Sequence, residues 1–195
     1  MDTAVFNRLL DVLRTATPRP EIILEEVPPP QKLATYSFAF TADVTNGLAG
    51  DAEDNVATGR FVLLHEPGGQ DTWEGEFRCV TFVSADVDSA MQEDPLLPEV
   101  GWNWLLTSLE SFGCSYNSPS GTVTRVSSAS FGKLSPRNNE SEIEIRASWT
   151  PVITTGEDIA QVLLNHVMAW CNLIAEISFL PPVVDGVASI TKPRK

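Results

Sequence analysis

Apolar residues in the first segment recur at three- and four-residue spacings. Val5, Phe6, Leu9, Leu10, Leu13 and Ala16 form one stripe, which predicts an amphipathic helix over residues 3–16 docked by one face on a core. Pro18 and Pro20 stop it. The period then drops to two. Residues 21–27, EIILEEV, predict a short strand, ended by Pro28, Pro29 and Pro30, which have no backbone donors. Over 34–44, Tyr36, Phe38, Phe40, Ala42 and Val44 alternate with smaller or polar residues, the pattern of a strand with one buried face. After a Gly-, Asn- and Asp-rich loop at 45–55, VATGRFVLLHE predicts a strand buried on both sides from Phe61 to Leu64. Pro67-Gly68-Gly69-Gln70 predicts a hairpin turn into a second strand over 72–87. On that strand Trp73, Phe77, Cys79 and Val83 are expected on one face, and Glu74, Glu76 and Arg78 on the other.

The helical period returns at 99–112, where Val100, Trp104, Leu105, Leu109 and Phe112 make a stripe and Gly113 stands at the expected C-terminal cap. Two further strands, 120–130 and 141–150, are joined by turn residues at 132–139. The last helix is expected over 155–177, opening on Thr155 with Glu157 and Asp158 in its first turn. It lays Ile159, Val162, Leu163, His166, Val167, Trp170, Leu173, Ile174 and Ile177 on one face. The order α-β-β-β-β-α-β-β-α, with connections too short for crossover helices, predicts an α+β fold: a single antiparallel sheet of about six strands with three main helices. One domain over 1–195 is expected, with a frayed basic tail at 186–195. By analogy alone, this order looks like secretion-chaperone-type folds, which often dimerise.

Charge narrows the function. The net charge of −13 coexists with three positive residues in the last four, so the body of the chain repels polyanions and nucleic acid is not an expected partner. No segment reaches the length of a signal peptide core or a membrane span, which predicts a cytoplasmic protein without a membrane role. Cys79, Cys114 and Cys171 are odd in number and lack a C-x-x-C pair, so buried free thiols are expected and no metal. Asn139-Glu-Ser141 matches a glycosylation acceptor, without meaning for a protein that is not exported.

Chemistry is sparse. His166 lies on the buried stripe of the last helix, where a satisfied core histidine is the favoured reading, and Cys171 is too far round that helix to pair with it. His65 sits beside Glu66, with Asp71 and Glu74 on the returning strand; such a cluster can bind an ion or move a proton, although carboxylates at hairpin ends are usually only solvated. The Gly-Lys at 132–133 lacks P-loop spacing, and GCSYN lacks the closing glycine of a nucleophile elbow. NSPSGTVTR, residues 117–125, offers hydroxyls and Arg125 to an anion, but turn chemistry explains the same residues. Trp104 shares the apolar stripe of its helix and is expected in the core, whereas Trp102 lies opposite and is the better candidate for a groove or partner contact, although covering by the DPLLP linker is the favoured reading of it.

The blocks RPEIILEEVPPPQKLA, ATGRFVLLHEPGGQDTWEGEFRCVTFV, DPLLPEVGWNWL, SPSGTVTRV and EIRASWTP resemble an actinobacterial family known only as a domain of unknown function, number three thousand in its series. The likeness covers most of residues 19–182, implies a cytosolic actinobacterial source, and carries over no activity and no catalytic residue. Two functional expectations remain. The first is a non-enzymatic binding or adaptor domain, without cofactor, that holds a protein partner or a second copy through a groove or sheet face. The alternative is a small-molecule site or enzyme around His65, Glu66 and Arg125.

Overall fold

The computed structural model describes residues 2–45, 55–132 and 140–182. The first helix, α1 (Thr3–Leu13), starts where the Asp2 carboxylate accepts the Val5 amide at 2.8 Å. Six strands follow in a meander interrupted by two helices: β1 (Ile22–Glu26), β2 (Tyr36–Thr45), β3 (Asn55–Gln70), β4 (Gly75–Asp86), α2 (Ser89–Glu93), α3 (Leu97–Ser111), β5 (Tyr116–Ser128) and β6 (Glu140–Pro151). The chain then enters α4 (Ile159–Ile177). All pairings are antiparallel, in the order β1-β2-β3-β4-β6-β5. The fold is therefore the α+β class read from the pattern, with a short extra helix, α2, in the linker between β4 and α3. Residues 46–54 of the expected loop, most of the turn at 132–139 and the tail at 186–195 fall outside the described residues.

The large helices share one face of the sheet. The odd-numbered core positions of β3 and β4 (Phe61, Leu63, Phe77, Cys79, Val83) and those of β6 (Ile143, Ile145, Ala147, Trp149) meet α1, α3 and α4 in one apolar cluster. α4 lies across its middle, with Leu163, Val167, Trp170, Leu173, Ile174 and Ile177 almost wholly buried. Burial of residues of this size stabilises by roughly 1.5–3 kcal/mol each, which makes α4 central to the fold. It starts at Asp158, whose carboxylate accepts the Ala160 amide, three residues later than the Thr155 start expected from the pattern.

β3 is buried on both sides, as its unbroken apolar run predicts. On the face away from the helices, Ala39, Val62 and Leu64 form a second, small cluster under Val27, Ala34, Trp73 and Val80. The proline segment after β1 is tied across this face: Arg60 donates to the Pro28 carbonyl at 3.0 Å, and the Val27 amide donates to Ala39 at 3.0 Å. Trp73 thus packs opposite to Phe77, not with it. The cause is local. Gly68 and Gly69 do not turn the chain; with φ of +90° and +81° they make an irregularity within β3, and the reversal comes at Asp71–Glu74.

α3 is rotated relative to its apolar stripe. Its buried positions are Leu97, Gly101, Leu105, Ser108 and Leu109, while Val100 is 40% exposed. The reason is size. A Cβ at Gly101 would stand 2.9 Å from Ile143 and 3.2 Å from Val123, so the missing side chain lets the helix settle directly on the sheet.

Candidate functional site

The structure does not bring His65, Glu66 and Arg125 together. His65 and Glu66 are successive residues of a strand and so point to opposite faces. The His65 ring is fully buried on the helix side, with Phe77 at 4.4 Å, Tyr36 at 5.6 Å and Phe6 at 5.8 Å between ring centroids. Neither of its nitrogens has a hydrogen-bond partner among the described residues, and the nearest carboxylate oxygen, on Glu76, is 4.0 Å from Nε2. Burial lowers the imidazole from its ordinary value, with Glu76 pulling the other way. Glu66 instead accepts from the Thr35 amide at 2.9 Å and its hydroxyl at 2.7 Å, and these bonds hold the carboxyl below its usual range.

Arg125 is at the far end of the sheet. It pairs in register with Ile143, which pairs with Ala85, whereas His65 pairs with Phe77; the eight positions between Phe77 and Ala85 put the two side chains about 26 Å apart along the strands. Its guanidinium donates to the carbonyls of Gln92 and Asp94, both at 3.0 Å, and fastens the α2–α3 linker to β5. Among the described residues no group of three or more His, Cys, Asp or Glu could hold a metal ion.

The other histidine is fully enclosed. His166 accepts from the Trp149 indole N–H at Nδ1, 3.1 Å, which makes Nε2 the protonated nitrogen of the neutral ring. Burial pushes its pKa down to about 4; the Ser115 backbone pulls the other way, although Nε2 makes no bond of ordinary hydrogen-bond geometry. The three free thiols are also buried, and burial raises Cys114 and Cys171 to about 12, so they are protonated and poor nucleophiles.

An arginine that sequence reasoning left on the solvated face turns out to organise the sheet. Arg78 is 7% exposed and donates to four neutral oxygens: the Ser118 carbonyl (3.0 Å), Thr150 (3.0 Å), Ser120 (3.1 Å) and Ser148 (2.7 Å). It pins the β5 irregularity at Asn117–Ser120 to β4 across β6. The signal was present: along β6 the outer face passes from charged Glu144 and Arg146 to hydroxylated Ser148 and Thr150.

The two tryptophans of α3 are both partly buried against the core cluster. Trp102 packs down on β5, its ring 2.9 Å from where a Cβ of Gly121 would be. Trp104 packs against the core and also walls a surface groove of about 650 Å³, where the α1–β1 connection, α3, α4 and the residues after α4 meet. Ile22, Phe112, Met168, Phe179 and Leu180 are part of its apolar lining. The Phe179 ring stands edge-on to Trp104 at 5.6 Å and is 46% exposed. At the margin Arg19 is bound by the Glu21 carboxylate at 3.0 and 2.9 Å and donates to the Pro181 carbonyl at 3.0 Å, which ties the end of the described chain to the start of β1. A smaller depression of about 240 Å³ lies on the other side of Trp104, between α3 and α4.

Comparison with known families decides the kinship. A family model described as a protein of unknown function, DUF3000, matches residues 2–188. The chain belongs to this DUF3000 family. No curated protein and no solved structure matches it. Within this DUF3000 protein, no described helix is long and apolar enough to cross a membrane.

Proposed function

We propose that this DUF3000 protein is a non-enzymatic binding protein of the cytoplasm that holds a segment of a partner protein in the groove beside Trp104. One observation carries the reading: a groove of about 650 Å³ is walled by Trp104, Phe112, Phe179 and Met168, aromatic and adaptable apolar side chains of the kind found at protein contacts. The chemistry elsewhere supports the same view. The histidines are buried and held toward their neutral forms, the thiols are protonated, and Glu66 and Arg125 are engaged with backbone groups or hydroxyls. Free thiols in the interior also accord with a reducing compartment.

Photo-crosslinking in cells tests this reading. A photoreactive residue replacing Asn103, on the wall of the smaller depression, should yield a covalent adduct with another polypeptide, whereas the same residue at Glu25, on the opposite face of the sheet, should not. An adduct with a second copy of this chain would identify the partner as itself, and light scattering would then show a dimer. Adducts at neither position, or equally at both, would remove the groove from consideration.

A further inference from the structure

The groove and the smaller depression are two halves of one surface. Both are lined by Trp104, Asn172 and Glu176, so the indole is a ridge between two hollows of about 650 and 240 Å³, and one carboxylate borders both. The two charged residues of the lining differ in how they are paired. Arg19 is neutralised by the bidentate Glu21 carboxylate. The Asn172 amide is occupied, donating to Ser108 at 3.1 Å. The Glu176 carboxylate is exposed and has no ion-pair or hydrogen-bond partner among the described residues. A single uncompensated negative charge therefore sits where an apolar groove borders a depression lined largely by Asn103, Thr107, Ser108 and Ser111, in a molecule whose net charge is already −13.

From this arrangement we infer that the occupant is a partner segment that carries an apolar side chain next to a lysine or arginine, the apolar group filling the larger groove beside Trp104 and the cation meeting Glu176 at the border of the polar depression. The inference rests on the groove reading above and adds its chemistry. An apolar groove with a carboxylate at its border suits an apolar group and a cation carried on neighbouring side chains of one backbone. An acidic or purely apolar segment would leave Glu176 facing like charge or desolvated without a partner, either of which opposes binding. The long-range field of the chain works in the same direction by steering basic segments toward it.

Fluorescence anisotropy with a labelled amphipathic leucine–lysine peptide, and its leucine–glutamate counterpart, tests this on the full chain. The lysine peptide should bind and the glutamate peptide should not. Reversing the charge with Glu176→Lys should weaken the lysine peptide about tenfold or more, whereas Glu25→Lys, the same charge change on the opposite sheet face, should change it less than about twofold. Trp104→Ala and Phe179→Ala should each weaken it as well, with unchanged thermal unfolding of the Phe179 variant showing that the fold persists. If Glu176→Lys has no greater effect than Glu25→Lys while the aromatic variants still weaken binding, the inferred cation is wrong and the groove stands. If the aromatic variants have no effect, the groove reading falls too. Failure of both peptides to bind overturns the inference.

Discussion

Two tryptophans approach α4 from different sides, and they end in different worlds. Trp149 comes from β6, is wholly buried, and has its indole N–H satisfied by His166 at 3.1 Å. Trp104 comes from α3, is half-buried, and meets a ring that is itself 46% exposed, with a free carboxylate beside it. The first region spends its aromatic surface on folding and closes its polar atom. The second leaves aromatic surface over, and a surplus of that kind favours association rather than stability.

The contrast can be broken most directly by truncation. Trp149→Ala should cost about 3–5 kcal/mol of unfolding free energy in a denaturant titration, because it opens a cavity and orphans His166. Trp104→Ala should cost only about 1 kcal/mol while impairing binding. Equal losses would mean that the groove is core under another name.

Acid should strike the Trp149 region next. An ordinary histidine titrates near 6.5, but folded His166 resists protonation down to about 4, so between these values the unfolded chain binds the extra proton. Stability is then full above pH 6.5 and declines as the pH falls toward 4, by about 3 kcal/mol from this group. His65, lowered by the same burial, adds to the loss in the same direction. His166→Gln should flatten this pH dependence relative to the parent chain; an unchanged slope would show that the Trp149 region is not closed to protons.

Smaller effects sharpen the comparison. Gly101→Ala should lift α3 from Ile143 and Val123, costing about 1–3 kcal/mol and displacing Trp104, so binding and stability should fall together. Glu66→Gln, far from both regions and bonded only to Thr35, should leave the thermal midpoint and partner binding unchanged.

How far the sequence could be read depends on the range of the interaction involved. Strand alternation in 34–44 and 141–150 revealed the buried faces, because each residue's face follows from its own position in the strand. The same rule, applied to neighbours, already separates His65 from Glu66. The orientation of α3 was misread because Gly101 and Ser108 are buried for being small, which a count of apolar residues does not register. The reversal at Asp71–Glu74 was misplaced because paired glycines can serve an irregular strand as readily as a turn. The groove was hidden for a different reason. It is made where residues 18–22, 104–112 and 168–182 converge, and no local pattern encodes that meeting.

At Gly59 a Cβ would lie 2.7 Å from the Ile174 side chain and 3.0 Å from the Trp170 ring, so these two side chains of α4 reach down to the bare backbone of β3. Side chains so closely seated on backbone cannot slide past it, and helix and strand are expected to part together or remain joined. Amides of Phe61 to Leu63 and of Val167 to Leu173 should consequently exchange with deuterated solvent at one common, slowest rate, marking the last unit of the protein to come apart.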